Sequence, residues 1–559
     1  MSHSRWKLLP PVPERHLANS SGLPPLLVQL LYNRGITRPE DFRSFLEGDR
    51  SLTHDPFLLP DMHRAIARVY RALLAGEKIA IYGDFDADGI TATAVLVQGL
   101  AALGVKAIPY IPHRQTEGHG LATAALKNLR QQGVSLVITV DCGVTDLSQV
   151  KQAVKMGLDI VITDHHSPLS ELPQAVAAVD PKLPGSSYPF SPLAGVGVAF
   201  KMLQALFQNL GREEPLGNTD LVAIGTIADM SPLVGENRYL VREGLKILNT
   251  SPRLGLKELM GQTGLATGTI NENTIGWIIA PCLNAAGRMA DGLTGYNLLV
   301  TEAPPQAREL AVWLVQKNDE RQRLTTSTLA VAREQVIAQG LPPLLVASDK
   351  DYFIGVAGLV ASRLAEEFYR PAIVVSLGEK ISHASCRSIP EFNIIAALSQ
   401  SGPLLSRYGG HAQAAGFTLP TKNLPILKEV LSQLAAEQLA GVEPRPRLDI
   451  DAEVTLPELG GTTYPTTLRL APFGMGNQVP TFLSRGVEVL QKGTMGDGGD
   501  HLKLKLRQGG TVWDGVGFRL GNHQTELADL IDIVYNLEAD RWGGKEQLRL
   551  NILDLARST

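Results

Sequence analysis

The chain has 559 residues, 44% of them hydrophobic and 19% charged, enough to bury sizeable cores in three or four domains at roughly 150 residues each. The formal net charge of −4 rules out a global attraction to polyanions, so a nucleic acid would be held by local basic patches. No apolar run reaches the length of a membrane span. The opening MSHSRWKLLPPVPERH lacks a signal-peptide core. Cys142, Cys282 and Cys386 are too dispersed for a disulfide framework or a CxxC zinc site, which points to the reducing cytoplasm.

Residues 1–75 read as a lead-in of Pro-rich turns and short helical patterns. One opens at Pro24 and Pro25, another with Pro39 at its N1 position, and 61–75 is amphipathic. From 78 to about 190 strands and helices alternate. KIAIY (78–82), KAIPYIP (106–112), LVITVD (136–141), DIVITD (159–164) and AVAAVD (175–180) are short and apolar, with helices between several of them. That pattern predicts a parallel sheet covered on both faces.

The first strand runs into YGDFDADGIT, in which Asp84, Asp86 and Asp88 alternate and end in Gly89, followed by an Ala/Leu-rich helix. A strand that ends in acids, turns on a glycine and enters a helix places ligands at the carboxyl edge of an open sheet. Three such acids repel one another unless a cation sits among them. Asp141, Asp164 and Asp180 end later strands of the same stretch, so acids distant in sequence are expected to meet along one edge. His165 and His166 follow Asp164 directly.

Residues 190–300 read as mostly helical, with Asp229 near the end of the apolar TDLVAIGTIADM. Asn284 and Arg288, four apart, share a helix face. Positions 303–339 predict one long helix whose polar middle, KNDERQR, would connect domains. A second strand–helix–strand unit begins near 341, and GGHAQAAGF (409–417) reads as a glycine-rich turn. From about 445 short strands between glycine turns predict a small barrel. In HLKLKLR (501–507), His501, Lys503, Lys505 and Arg507 share one strand face and the three leucines the other.

Carboxylates with one or two imidazoles and no thiolate suit Mn²⁺ or Mg²⁺ better than zinc. Two such ions would hold a scissile phosphate and lower the pKa of a water. The structural alternatives are a helix-start pair for His165 and His166, a C-terminal helix residue for Asp229, a packing ion pair for Arg288, a turn residue for His411, and a solvated strand face for the basic stripe.

The order DFDADG, DCG, DHH and IADM resembles the DHH phosphoesterase superfamily. APCLNAAGR, KNDERQ, GVAGLVASR, CRSIP, GGHAQAAGF, PFGMGN and HLKLKL extend the resemblance over nearly the whole chain to its RecJ branch of single-strand-specific DNA exonucleases. The resemblance implies an α/β architecture: a parallel-sheet DHH catalytic domain (76–300), a connecting helix (301–340), a smaller α/β DHH-associated domain (341–442) and a C-terminal OB-fold barrel (443–559). It implies hydrolysis of single-stranded DNA from the five-prime end to mononucleotides in recombination and repair, with two Mn²⁺ or Mg²⁺ ions. Asp86, Asp88, Asp141, His165 and Asp229 would be ligands, with Asp84 and Asp164 in support or as added ligands. His166 would meet the scissile phosphate and Arg288 a nearby one. Arg114, Asn284, Ser385, Arg387, His411, Lys503 and Lys505 would hold the strand, with Trp513 and Phe518 as stacking candidates. A single-strand-binding protein and a helicase would be partners.

The sequence departs from the family at Phe353 (usually His), Cys282 (usually Arg), His119 (usually Tyr) and Gln478 (usually Pro). The competing readings are a phosphodiesterase for short RNA or cyclic dinucleotides, to which an extended barrel track is superfluous, and a non-catalytic scaffold, in which acids of the cluster would be missing.

Overall fold

The structure is a computed structural model and describes residues 4–18, 22–114, 116–443, 445–496, 498–525, 527–540 and 547–558. The chain divides into two compact units, one of Met1–Asn284, Asp291–Ala311 and Arg447–Thr559, the other of Ala285–Ala290 and Val312–Pro446.

The first unit is built on five parallel strands, β1 (Lys78–Tyr82), β2 (Ile108–Tyr110), β3 (Val134–Val140), β4 (Asp159–Thr163) and β5 (Ala177–Val179), in the order β2-β1-β3-β4-β5. Continuous apolar strands need cover on both faces. On one face, Leu126 and Leu129 of helix Thr123–Gln131 and Val150 and Ala153 of helix Leu147–Lys155 pack on Ala80, Val137, Ile160 and Ile162. Helices Ala87–Ala101 and Gly195–Asn209 cover the other. Both are buried almost all round, as their lack of a polar face requires.

The second unit carries β6 (Leu345–Asp349), β7 (Ala372–Ser376), β8 (Ile381–Arg387), β9 (Arg407–His411) and β10 (Ala414–Pro420) in the order β9-β10-β8-β7-β6, only β6 and β7 being parallel. Here the sequence reading needs correction. Residues 409–417 are not a turn but most of an antiparallel hairpin, with Gly409 opposite Gly416 and Gly410 opposite Ala415. The predicted long helix is present as Pro304–Ala338.

The C-terminal strands of the first unit, β11 (Phe482–Met495), β12 (His501–Gln508), β13 (Thr511–Gly517), β14 (Leu530–Asp540) and β15 (Gln547–Arg557), close into a five-stranded barrel because β11 pairs with both β12 and β14. The lead-in is part of this core. Leu27, Leu30, Leu31, Phe42 and Phe45 are buried in one cluster with Phe482, Leu502, Leu504, Leu506 and Tyr535. Strand Arg5–Leu8 runs parallel to Arg447–Ile450. Arg238, fully buried, closes the junction by donating to the carbonyls of Phe45, Leu470 and Ala471 at 2.7–2.8 Å. No helix of the described residues is long and apolar enough to cross a membrane, and Cys142, Cys282 and Cys386 are all buried.

Candidate metal centre

In this strand order the chain leaves β1 for β2 on one side and then returns to β3 on the other. The crevice beyond their carboxyl ends is therefore the expected ligand site. Asp84 follows β1, Asp141 follows β3 and Asp164 follows β4. Gly89 makes the first turn possible, since a Cβ there would lie 2.5 Å from the Asp84 backbone nitrogen and oxygen.

Each carboxylate has its own support. Asp86 caps helix Ala87–Ala101, its Oδ1 accepting from the amides of Asp88 at 3.0 Å and Gly89 at 3.1 Å. Asp88 accepts from the Gly195 amide at 2.7 Å and the Val196 amide at 2.8 Å, at the positive N-terminal end of helix Gly195–Asn209. Asp229 is the C-cap of helix Thr219–Ala228 and accepts from the Ser231 hydroxyl at 2.6 Å. Asp141, directly after β3, has a left-handed backbone with φ of 61°, and Met230, directly after Asp229, one with φ of 59°. Such conformations cost about 1–3 kcal/mol each and cluster where function over-determines the backbone.

Donor atoms of Asp84, Asp86 and Asp141 lie within 4.8 Å of one another, as do those of Asp88, His165 and Asp229, and those of Asp141, His165 and His166. His165 Nε2 is 3.0 Å from Asp141 Oδ1. That oxygen nevertheless has no hydrogen-bond partner of acceptable geometry, and neither does the buried Asp84 Oδ1. A nitrogen and an oxygen that face one another off-axis, together with orphaned buried carboxylate oxygens, fit donors aimed at shared cations. Hard oxygens with one or two imidazoles fit Mn²⁺ or Mg²⁺.

Asp164 is engaged differently. Its Oδ1 accepts from the His165 amide at 2.7 Å, the His166 amide at 3.1 Å and His166 Nδ1 at 2.8 Å, while Oδ2 accepts from the Val144 amide at 2.9 Å. With both oxygens occupied it orients the histidines. His166 is left with Nε2 as its remaining polar atom.

The electrostatics separate the acids. Burial, then the charge of Asp229, pushes Asp88 up to about 7. Burial, then Asp88, raises Asp141 well above the usual carboxylate range, and burial with Asp84 raises Asp86. Crowded buried carboxylates resist ionising without a cation. Burial also acts to raise Asp164, but the hydrogen bond and charge of His166 outweigh it and hold Asp164 below its ordinary value. Burial lowers His166, but Asp164 outweighs that and raises it to about 9, so the imidazole is cationic at neutral pH.

The structure gathers Asp84, Asp86, Asp88, Asp141, Asp164, His165, His166 and Asp229 into one crevice. Beside it, the Arg114 guanidinium lies 5.1 Å from the Phe85 ring centroid, His119 Nδ1 stands 3.5 Å from Asp84 Oδ2, and Asn284 Oδ1 accepts from the Ala87 amide at 2.8 Å. Asp180, whose Oδ1 accepts from the Lys182 amide at 2.7 Å, belongs to none of these donor groups but is close enough to interact electrostatically with Asp164 and His165. The sequence reading gave no role to Gly195, Val196, Ser231 or Val144. Backbone amides leave no residue-type signal, although a glycine opening a buried helix is a trace of one.

Within the second unit, His411 lies opposite Ala414, Ala414 opposite Arg387, and Ser385 opposite Gly416. Opposite residues share a face, so Ser385, Arg387 and His411 rim a floor of alanine and glycine. The other face is the buried Ala384, Cys386, Ala415 and Phe417. Arg288 Nη1 reaches the Gly355 carbonyl at 3.5 Å. Phe353 is the residue before helix Ile354–Phe368 and packs on Gly355, where a Cβ would meet its ring at 2.4 Å.

On the barrel, Leu502, Leu504 and Leu506 face inward, Lys503 is exposed and Lys505 half-buried. Arg507 is taken by a two-pronged bridge to Glu488 at 2.7 and 2.8 Å. Trp513 donates to the Leu456 carbonyl at 3.1 Å and packs on the barrel core, whereas Phe518 is 47% exposed.

The chain matches the family models described as DHH family, N-terminal domain (residues 78–226), DHHA1 domain (341–437) and RecJ OB domain (450–554). It is 38% identical to the single-stranded-DNA-specific exonuclease RecJ of Bacillus subtilis (strain 168), over 100% of this chain and 71% of that protein. Among solved structures it is similar to RecJ of Thermus thermophilus in complex with Mn²⁺ at a TM-score of 0.86 and 30% identity, covering 100% of this chain and 80% of that one. The Mg²⁺ complex from the same organism matches at 0.81 and 29%, covering 100% and 79%.

Proposed function

We infer the activity from membership: the chain belongs to the RecJ family of single-stranded-DNA-specific exonucleases, on a DHH catalytic domain. It is a metal-dependent exonuclease of single-stranded DNA, using Mn²⁺ or Mg²⁺. The observation that carries this is the convergence of five aspartates and His165 at the switch point of the parallel sheet.

Asp84, Asp86 and Asp141 would form one half of the donor set and Asp88, His165 and Asp229 the other, with Asp141 facing both through His165. Bound divalent cations supply the charge that neutralises a scissile phosphodiester and lowers the pKa of a water. The chain's own residues do the rest. Amides 195 and 196, Ser231 and the Asp86 cap fix the carboxylates, so little reorganisation is left for the reaction. The His166 cation, aligned by Asp164, meets a phosphate oxygen.

We assign Arg288 to a phosphate near the site, and Arg114, Asn284, the Ser385–Arg387–His411 face, Lys503 and Lys505 to holding the strand. On this reading hydrolysis starts at the five-prime end and yields mononucleotides, within 76–300 as catalytic domain, 341–442 as strand holder and 443–559 as track. Single-strand-binding protein and a helicase in the cytoplasm would supply and expose the substrate.

Strands labelled at either end, incubated with and without Mn²⁺, test it. Early release of the five-prime label and no activity without metal are expected. Release of the three-prime label first, or equal digestion of blunt duplex, would reject the reading.

A further inference from the structure

We propose that Met230, Trp277 and Met475 form the seat of an unstacked nucleobase of the single-stranded substrate. This rests on the exonuclease reading and deepens it. The three side chains are 66%, 73% and 45% exposed, and among described large hydrophobics only Leu74 equals Trp277.

They are brought to one turn. Met230 follows the donor Asp229, and its left-handed backbone fixes where it stands. Ile227, whose carbonyl accepts from the Met230 amide at 3.1 Å, lies against Gly276, the residue before Trp277; a Cβ there would be 3.7 Å from Ile227. The Met475 carbonyl accepts from the Leu233 amide at 2.8 Å, and the Glu272 carboxylate accepts from the Phe473 amide at 3.0 Å. Three distant segments thus meet at the end of helix Thr219–Ala228, next to the donor Asp229, each carrying one of these exposed side chains. Of the other described tryptophans, the Trp6 indole donates to Asp554 at 2.9 Å, the Trp513 indole to the Leu456 carbonyl at 3.1 Å, and the Trp313 ring faces Lys317 Nζ at 5.9 Å.

Exposed apolar groups mark interaction sites. Beside a phosphodiester centre the apolar part of the substrate is the base. Polarisable sulfur and aromatic faces accept any base, provided it is unstacked, so the seat would add to single-strand selectivity without sequence preference.

The test compares full-length wild type with Trp277→Ala and Trp277→Phe on oligonucleotides carrying one abasic residue at successive positions from the labelled end. Binding is read by anisotropy without metal and cleavage with Mn²⁺. Trp277→Ala should lower kcat/KM on intact strands by roughly 5–150-fold, mostly through KM, and Trp277→Phe should restore most of it. At one abasic position the wild type should lose a similar factor and Trp277→Ala nothing more. Unchanged kinetics in Trp277→Ala, or losses that multiply at every position, would overturn the seat; unchanged kinetics would leave the patch a protein-docking surface. Wild type inactive on every single strand would sink the parent reading instead.

Discussion

At the scale of single residues, Asp141 and Asp164 divide the work of the crevice. Asp141 Oδ1 is buried without a hydrogen bond of its own, whereas both oxygens of Asp164 are fully occupied. Asp141→Ala should therefore abolish hydrolysis while leaving strand affinity, measured without metal, within about threefold, because the residues proposed to hold the strand lie mainly elsewhere. Asp164→Asn should keep the metal and cost about 10–100-fold, as loss of an orienting partner does. Its pH profile carries the sign. Asp164 holds His166 protonated up to about 9; without that charge the imidazole returns toward its ordinary ~6.5 and is neutral at pH 8. The variant's deficit should grow from pH 6 to pH 8; a constant deficit would deny His166 its charged role. The acids were readable because residue type and strand-end position carry the signal. The partners that aim them were not, because the Gly195, Val196 and Val144 amides could belong to any residue.

Elements meet closely here. Helix Gly195–Asn209 starts against the end of β3, where a Cβ on Gly195 would lie 2.5 Å from both Cβ and Oδ1 of Asp141. Gly195→Ala should move Asp141 and lower kcat at least ~10-fold with little change in strand affinity; wild-type kcat would show that the approach has slack. The repulsion along the sheet edge gives a second expectation. Asp88 rises from its ordinary value to about 7 in the folded protein, so the metal-free fold binds its proton more tightly than the unfolded chain does. It loses stability as pH climbs from about 4 through 7. A cation relieves this, and the gain in Tm on adding Mn²⁺ should be larger at pH 8 than at pH 6. β1, β3 and β4 were legible as unbroken apolar runs. The hairpin of β9 and β10 was not, because Gly409, Gly410 and Gly416 have no side chain and Ala414 only a methyl, too little from which to read a period of two.

Across the whole molecule, the chain's beginning is a structural partner of its end. A sequence reading that finds no chemistry in residues 1–75 has no local sign of this, since Leu27, Leu30 and Phe45 look like any amphipathic helix until Phe482 and Tyr535 complete their cluster. Leu30→Ala should cost about 2–5 kcal/mol, and hydrogen exchange should show the loss in strand β12 as well as around the mutation; protection unchanged in β12 would separate the two cores. This shared core also sets a timetable for synthesis. Roughly 450 residues must be translated between Leu30 and Phe482, which at 5–20 residues per second is about 20–90 s. Throughout that interval the first helices emerge from the ribosome with their greasy sides bare, which makes the nascent protein a client for holding chaperones.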